Sequence, residues 1–283
     1  MKVSRKKDRN KKFFGKLMAT IILVIGGVVM LLPFLFMVSS SFKKPMDIFA
    51  SPIKWIPDYW YPDNYKYIFS KDNSIFLMYW NSIKVTSICV LGSGFTSIMA
   101  AYGFSKMKFK GRNFFFMLML STMMIPAQLT YIPRFSMLSA VHLTNTHWAL
   151  ILPGLIAVVG CFLIKQFFDQ IPDELTEAAR IDGAGEMRIC WNIMVPTAKP
   201  AIATFIITVF TNYWNDYETP LIFLRDKSLY TVPLGVVSFS DEIGQLYHYT
   251  MAFTTLSLIP IFIVFLCCQK YFVEGLTAGA VKM

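Results

Sequence analysis

A group of polar and aromatic residues in an apolar stretch of the chain has the composition of a site for a hydroxylated ligand. The stretch reads TNYWNDYETPLIFL over 211–224. Amide and carboxylate groups exchange hydrogen bonds with hydroxyls, and flat rings cover C–H faces, so the combination suits a sugar. An acidic side chain inside a membrane span is also expected to have a functional role. The candidates are Asn212, Trp214, Asn215, Asp216 and Tyr217. The alternative is that Asn215 and Asp216 hydrogen-bond neighbouring helices or a partner subunit.

A second polar group lies between two prolines. The segment MMIPAQLTYIPRF at 123–135 contains Pro126 and Pro133, each of which removes a backbone hydrogen bond. Irregular backbone at membrane depth is tolerated where it is buried or lines a cavity. We therefore predict that Gln128 and Tyr131 line a pathway, with a purely structural kink as the alternative.

The sequence lacks the motifs that would indicate catalysis. The phosphate-binding pattern G-x-x-x-x-G-K-[ST] is absent, and so is a serine nucleophile elbow. The three histidines lack zinc-protease spacing, and the five cysteines have neither metal-binding nor redox spacing. We expect no catalytic residue, metal or cofactor on this chain.

The composition indicates a membrane protein. Of 283 residues, 55% are hydrophobic and 16% are charged, whereas a soluble domain carries about a quarter charged residues. Apolar stretches of roughly 20 residues, the length that a spanning helix needs, recur along the chain. We predict an all-α integral membrane fold with six transmembrane helices. Their expected bounds are Leu17–Val38, Asn81–Phe104, Phe114–Ile132, Trp148–Phe168, Ala201–Phe223 and Met251–Phe272.

Basic residues in the short loops predict the orientation. Lysines and arginines crowd 1–16 and 106–112, which lie on one side of six spans, so that side is predicted to be cytoplasmic. Segment 171–200 falls on the same side, whereas 42–78, rich in Trp, Tyr and Pro, falls outside. The net charge of +10 comes mainly from the N-terminal run beside a span, so we reject nucleic-acid binding. The expected parts are a cytoplasmic N-terminus at 1–16, a transmembrane domain at 17–272 and a cytoplasmic tail at 273–283.

The charged segment at 171–200 is predicted to form a helical hairpin. It reads IPDELTEAARIDGAGEMRICWNIMVPTAKP and separates two apolar spans. Pro172 suits a first helical position, and the acids that follow are favoured in a first helical turn. Gly183 permits the backbone to reverse. We expect a second helix from about Glu186 that ends before Pro196. Such an element is suited to a groove on a partner protein.

A family resemblance rests on spacing within this hairpin. Glu177-Ala178-Ala179 is followed by Gly183 and then by Ile193-x-Val195-Pro196. The pattern closely resembles the EAA signature of permease subunits of bacterial binding-protein-dependent ABC importers, a family that usually has Leu in place of Val195. The resemblance implies a type I importer (MetI-like) fold, with cytoplasmic EAA coupling helices that dock into a separate ATPase subunit binding ATP and Mg. The implied coupling residues are Glu177, Ala178, Ala179, Asp182 and Gly183. The alternative is an ordinary amphipathic hairpin.

The C-terminal end carries a second resemblance. CQKYFVEGLTAGAVKM at 268–283 closely resembles the tail of the smaller permease subunit of maltose-type importers. In that family the tail reaches into the ATPase dimer, which implies ATPase contacts for Thr277, Gly279 and Lys282. The run at 211–224 also resembles an element of carbohydrate importer permeases. Together these resemblances imply a carbohydrate importer that works by alternating access.

The resemblance also implies partners and a location. The partners are a second permease subunit, two ATPase subunits, an extracellular sugar-binding lipoprotein or periplasmic protein, the carbohydrate and membrane lipid, in a bacterial cell membrane. A disaccharide, a longer oligosaccharide, a polyol and a glycerol-phosphate substrate are all compatible. Two other classes stay open: a transporter driven by an ion gradient with Asp216 as the ion site, and a non-transporting scaffold that binds a partner through 171–200.

Overall fold

Helices dominate the computed structural model, which describes residues 2–70, 75–241 and 244–280. The chain divides into two compact units, one made of Met1–Ser70 and Phe239–Leu256 and the other of Lys71–Ser238 and Ser257–Met283. Four helices are long and apolar enough to cross a membrane, and six spans result if each of two bent helix pairs counts as one. The number agrees with the six spans that the sequence predicts. The second pair, Glu186–Thr197 with Lys199–Trp214, overlaps the predicted fifth span, Ala201–Phe223, only over 201–214.

The first unit holds the first span and the outer segment that follows it. Helix α1 covers Lys2–Ser40, a 3-10 turn covers Pro45–Asp47, and α2 covers Asp63–Ile68. The two-residue strands β1 (Ser240–Asp241) and β2 (Gly244–Gln245) pair antiparallel, a small departure from the all-α prediction. Helix α14, Tyr247–Ala280, begins in this unit and ends in the other. The first span therefore forms a single helix with the basic N-terminus.

Buried polar contacts fold the outer segment onto the end of α1. Lys43 is 1% exposed and donates to the carbonyl oxygen of Lys54 at 2.6 Å. The side-chain amide of Asn64 donates to the carbonyl oxygens of Ser41 and Lys43 at 2.8 and 2.9 Å. Farther along, Tyr67 stacks on Tyr249 with ring centroids 4.0 Å apart. These contacts hold residues 41–70 together and against the end of α1.

The second unit holds the remaining helices. In chain order these are α3 (Ile75–Lys106), α4 (Arg112–Ser121), α5 (Ala127–Ala140), α6 (Trp148–Gly154), α7 (Val158–Phe168), α8 (Asp173–Ile181), α9 (Glu186–Ile189), α10 (Val195–Thr197), α11 (Lys199–Trp214), α12 (Glu218–Phe223) and α13 (Val232–Val237). Shorter 3-10 turns cover Thr122–Met124 and Lys227–Leu229, and a π-helical turn covers Cys190–Met194.

Three of the predicted spans are interrupted. The third bends by 98° between Arg112–Met124 and Ala127–Ala140, at Pro126, which has no N–H to continue the helix. Pro133, predicted as a second break, lies inside α5. The fourth span, Trp148–Phe168, counts as one of the four long spans but loses regular helical structure at 155–157, between α6 and α7. The fifth is broken between α11 and α12.

The predicted end of the second hairpin helix is wrong. Helical structure continues from Glu186 to Thr197, through Pro196. The turn before the proline, Cys190–Met194, is π-helical. A proline ring collides with the carbonyl four residues earlier in a regular α-helix, and a wider π turn relieves that collision. The bend falls instead at Ala198, where α11 departs at 83° from the preceding helix.

Small residues bring α3, α7 and α11 close together. A Cβ on Gly160 would lie 2.3 Å from a ring carbon of Phe205 and 2.8 Å from Oγ of Ser97. A Cβ on Gly92 would lie 2.4 Å from Leu155. These close contacts help to build the core of the second unit.

The first prediction tests this packing. Gly160→Ala would force its Cβ into Phe205 and Ser97, and we expect a loss of about 1–3 kcal/mol in stability, as for other overpacked sites. The measurement is the unfolding midpoint of the purified protein in detergent. Gly103→Ala in α3 is the control, because no atom lies within 4 Å of its added Cβ. Equal midpoints for the two variants would show that Gly160 is not a close contact.

Candidate functional site

The predicted hairpin is present, and its turn depends on a left-handed glycine. Helix α8 begins after Pro172 and carries Asp173 in its first turn. Gly183 has a φ of +80°, a conformation that glycine adopts without strain. The amide of Gly183 donates to the carbonyl oxygen of Arg180 at 3.0 Å, and that of Ala184 to Ala179 at 2.9 Å. These bonds satisfy carbonyl groups at the end of α8 and direct the chain into α9.

The hairpin, residues 173–189, has a buried side and an exposed side. Thr176 and Ala179 are buried, whereas Glu177, Ala178, Asp182 and Gly183 are exposed. The exposed side also carries three large apolar side chains: Leu175 at 49%, Ile181 at 86% and Met187 at 52% exposure. Exposed apolar side chains of this size on a charged segment are candidates for a protein interface. Four of the five predicted coupling residues thus face outward, and Ala179 faces the core.

A buried lysine fastens the first helix of the hairpin to the end of α3. The Lys106 ammonium donates to the carbonyl oxygen of Ile171 at 2.6 Å and lies 2.5 Å from Oδ1 of Asp173. The Lys106 side chain is 3% exposed. Its hydrogen bond and charge hold the pKa of Asp173 below the usual range of a carboxyl group. The lowered pKa stabilises the fold at neutral pH, and this contribution is lost only as pH falls through the lowered value.

A second polar contact closes the turn of the hairpin. The guanidinium of Arg180 donates to both carboxylate oxygens of Glu186, at 2.7 and 3.2 Å. The hydroxyl of Tyr102, on α3, also donates to Glu186. Beside it, Ser105 donates to Asp169 at 2.7 Å. The last turn of α3 therefore contacts the hairpin and the segment that leads into it.

The sequence reasoning did not identify these anchoring residues. It used Lys106 only as a signal of orientation, and it assigned no role to Tyr102, Arg180 or Glu186. Opposite charges at Arg180 and Glu186, on either side of a glycine turn, were an available signal for a pair closing that turn. The sequence offered no sign that α3 would supply the other partners.

One hydrophobic core continues from the hairpin into the membrane helices. Ala179 and Ile189 belong to the same buried cluster as Ile98 of α3, Ile164 of α7 and Phe205 of α11. The hairpin therefore shares one buried cluster with these three membrane helices.

A cavity of about 500 Å³ opens beside the breaks in the fourth and fifth spans. Its walls come from the start of α7, from α11 and from the residues between α11 and α12. The lining residues include Ala157, Thr208, Asn212, Tyr213, Asn215, Asp216, Tyr217 and Glu218. Its size falls within the range of small-molecule sites, and its walls combine polar groups with aromatic rings.

Polar side chains from α3 and α11 satisfy the broken backbone beside this cavity. Thr96 and Ser97 donate to the carbonyl oxygens of Leu155 and Ala157, at 2.6 and 3.1 Å. Tyr213 donates to the carbonyl oxygen of Gly154 at 3.1 Å. Gly154 and Leu155 lie at the end of α6, where the helix stops supplying donors, whereas the Ala157 carbonyl precedes α7 and also accepts the amide of Cys161 at 3.1 Å. These bonds permit irregular backbone at this depth in the span.

Four of the five predicted ligand-contacting residues of the fifth span line the cavity: Asn212, Asn215, Asp216 and Tyr217. Asp216 also accepts a hydrogen bond from the amide of Thr219 at 3.1 Å, and so caps α12. Trp214 lies elsewhere. It is 1% exposed, its indole N–H donates to the carbonyl oxygen of Ser257 at 3.0 Å, and it stacks on Phe210. The structure therefore gives Trp214 a packing role.

The two residues between the prolines that were predicted to line a pathway, Gln128 and Tyr131, also have different surroundings. Tyr131 donates to Glu218, a residue of the cavity wall, at 2.8 Å. Gln128 is exposed and is not part of that wall. Arg134, which the sequence reasoning passed over, lies over the rings of Tyr131 and Phe223 at 5.6 and 4.8 Å. Within the described part of the chain, its buried Nε and Nη2 have no hydrogen-bond partner.

The predicted tail is only partly described. Thr277 and Gly279 fall within α14, whereas Lys282 lies outside the described residues. The tail that begins at 273 therefore continues the last helix at least to Ala280. The roles of these three residues stay predictions.

Comparison with known proteins defines the family. Residues 92–277 match the model of the binding-protein-dependent transport system inner membrane component. The chain belongs to this family of transport permeases, as its broken spans and charged hairpin suggest. Membership implies that it works with a partner permease, an ATPase and a substrate-binding protein, and that it is a multi-pass membrane protein.

Individual relatives extend over nearly the whole chain. The chain is 34% identical to the arabinooligosaccharides transport system permease protein AraQ of Halalkalibacterium halodurans, over 88% of this chain and 90% of that protein. It is 33% identical to the sn-glycerol-3-phosphate transport system permease protein UgpE of Yersinia pestis, over 90% and 94%. A crystal structure of a bacterial ABC transporter involved in the import of the acidic polysaccharide alginate contains a similar chain, with a TM-score of 0.78, 25% identity and coverage of 93% and 98%. The fold is that of a type I importer permease.

The second prediction concerns the lysine anchor. Lys106→Met removes the ion pair with Asp173 and the bond to Ile171, and bonds to charged groups contribute about 1.5–3 kcal/mol. We expect amide hydrogen exchange in α8 to accelerate by about tenfold or more, because the hairpin opens more often. Lys227→Met, an exposed lysine of another loop, is the control. Unchanged exchange in the Lys106 variant would contradict the anchoring role.

Proposed function

We propose that this chain is a permease subunit of an ATP-driven importer for carbohydrate. It forms the membrane pathway together with a second permease subunit, and two ATPase subunits supply the energy. ATP and Mg bind to those ATPase subunits, and this chain catalyses no reaction itself. The observation that carries the proposal is the structure of the hairpin. Its exposed side is apolar and acidic, and the start of its first helix is bound to the end of α3.

The proposed coupling step uses the exposed side of the hairpin. Ile181, Leu175 and Met187 supply apolar area for a groove on the ATPase, and Glu177 supplies a carboxylate for charge-assisted contacts. Ala178 has a small side chain, so the two surfaces can approach closely. When the ATPase subunits close around ATP, the hairpin moves with them. Lys106 and the shared core then transmit that movement to α3, α7 and α11.

The proposed pathway includes the cavity beside the broken spans. Asn212, Asn215 and Tyr217 offer hydrogen bonds and a ring face to a sugar that passes from the outer side. Glu218 and Asp216 add acceptors for hydroxyl groups. Relatives that act on arabinooligosaccharides and on an acidic polysaccharide support carbohydrate as the substrate class. A relative named for sn-glycerol-3-phosphate keeps a smaller phosphorylated polyol as a second candidate.

The proposed orientation places the hairpin and both chain termini in the cytoplasm of a bacterial cell. The basic residues at 1–16 and 106–112 support this orientation. The segment at 42–78, predicted to lie outside, then faces the extracellular binding protein, which delivers the sugar. The tail residues Thr277, Gly279 and Lys282 are proposed to add contacts to the ATPase.

The third prediction tests the coupling surface. Ile181→Glu places a charge in the middle of the proposed ATPase contact, and Glu177→Lys reverses the charge beside it. For residues central to an interface we expect losses of about 2 kcal/mol, or about thirtyfold in affinity. The measurement is recovery of the ATPase subunit with the affinity-tagged permease from detergent-solubilised membranes that contain the whole transporter.

The control is Ile53→Glu, which places the same charge on the outer segment, where Ile53 is 62% exposed. It should leave ATPase recovery unchanged. Recovery of no ATPase with the unaltered, well-folded chain would reject the importer assignment. Full recovery of the ATPase with both hairpin variants would show that the ATPase binds to another surface of the permease.

The fourth prediction tests the cavity. Asn212→Ala and Tyr217→Ala each remove a group from the cavity wall, and we expect ATP-dependent uptake of the transported carbohydrate to fall by about tenfold, the effect of one lost hydrogen bond or ring contact of about 1.4 kcal/mol. ATPase recovery and the unfolding midpoint should not change. Uptake that survives ATP depletion and stops when ion gradients collapse would instead support a gradient-driven transporter.

A further inference from the structure

A basic cleft lies between the end of α3 and the start of α4, away from the cavity and on the same side of the second unit as the hairpin. It encloses about 660 Å³. Its basic lining residues are Lys108, Lys110 and Arg112, and its aromatic ones include Phe109 and Phe114. The function proposed for the hairpin and the cavity makes no use of this cleft.

The positive charge of the cleft is largely unneutralised. Lys108 and Lys110 are exposed and form no ion pair or hydrogen bond with other described residues. Arg112 uses one nitrogen, Nη1, for long bonds of 3.2 and 3.3 Å to backbone carbonyls, which leaves its remaining donors available. Asp173 also lies in the cleft, but the buried Lys106 already pairs with it. The cleft therefore offers three cationic side chains to an anion.

Aromatic side chains place this charge at the edge of the membrane. Phe109 is 45% exposed and lies between Lys108 and Lys110 in the chain, and Phe114 is 66% exposed and follows Arg112. The cleft also begins where the apolar helix α3 ends and closes where the apolar helix α4 begins. Basic residues at the end of a span lie at the depth of the lipid headgroups, where apolar rings beside them can meet the acyl chains. A soluble anion would leave these two rings exposed to water, whereas the acyl chain of a lipid can cover them.

We propose that the basic cleft binds the phosphate of an anionic phospholipid, with the acyl chains against Phe109 and Phe114. The proposal rests on the cytoplasmic orientation of the proposed function, because anionic lipids of that leaflet attract basic groups beside a span. Lys108 and Arg112 bracket the phosphate, and Lys110 adds a third charge.

The position of the cleft gives the lipid a connection to the hairpin. Lys108 and Phe109 also line a smaller cavity of about 290 Å³, whose other walls include Arg180 and Glu186 of the hairpin turn. One short loop thus contacts the proposed lipid on one side and the hairpin turn on the other. A bound headgroup would restrict this loop and, through it, the base of the coupling surface.

The test measures lipid binding by the complete transporter, stripped of lipid in a detergent with an uncharged headgroup. The ligands are radiolabelled phosphatidylglycerol, phosphatidylcholine with the same acyl chains, and inorganic phosphate. We expect phosphatidylglycerol to bind at least tenfold more tightly than the other two. Lys108→Gln with Lys110→Gln should weaken its binding by about thirtyfold, at about a kilocalorie per mole for each basic residue. The control, Arg225→Gln with Lys227→Gln, removes two exposed charges from another loop and should bind as the unaltered protein does.

Several results would overturn the proposal. Equal affinity for phosphatidylglycerol and phosphatidylcholine would remove the role of the anion, and equal affinity for inorganic phosphate would make the cleft a site for free anions. Unchanged binding in the double variant would show that the lipid binds at another site. Binding to the permease alone that disappears in the complete transporter would assign the cleft to the ATPase interface. ATPase recovery is scored on the same samples, so a failure of the importer assignment is recognised separately from a failure of the lipid site.

Discussion

The arrangement of the hairpin depends on the two contacts that the Lys106 ammonium makes. This group lies at the last residue of α3, where the partial negative charge of the helix end favours a cation, and it meets the Ile171 carbonyl and the Asp173 carboxylate just as α8 begins. A buried ammonium is costly unless it is fully bonded, so these two partners fix where the hairpin starts. Glu186 then fixes where it turns, because Tyr102 and Arg180 both donate to it.

The same requirement for bonded polar groups explains the cavity. A helix that stops at membrane depth leaves carbonyl groups without donors, and here Thr96 and Tyr213 supply them, while Ser97 adds a second donor to the carbonyl of Ala157. The break in the fifth span is stabilised by Asp216, which caps α12. Polar residues around the cavity therefore serve two purposes. Some hold the broken helices, and others, such as Asn212 and Tyr217, remain free to face the space between them.

Closely packed side chains connect the proposed coupling surface to the proposed pathway. Phe205 of α11 packs against Gly160 of α7, in the same core that contains Ala179 and Ile189 of the hairpin. In the proposed coupling step, movement of the hairpin would be passed through this close-packed core to the helices that line the cavity.

The sequence by itself determined the membrane class, the six spans and the hairpin, because stretches of about 20 apolar residues and a charged segment with a glycine turn are local patterns. The EAA resemblance gave the family, and the fifth span gave Asn212, Asn215, Asp216 and Tyr217 of the cavity wall. Only the tertiary structure placed Trp214 in the packing and Glu218 in the wall, since helix direction decides which side chains face a cavity. It also decided that Lys106 meets Asp173, a contact between residues far apart in the chain that no local pattern encodes.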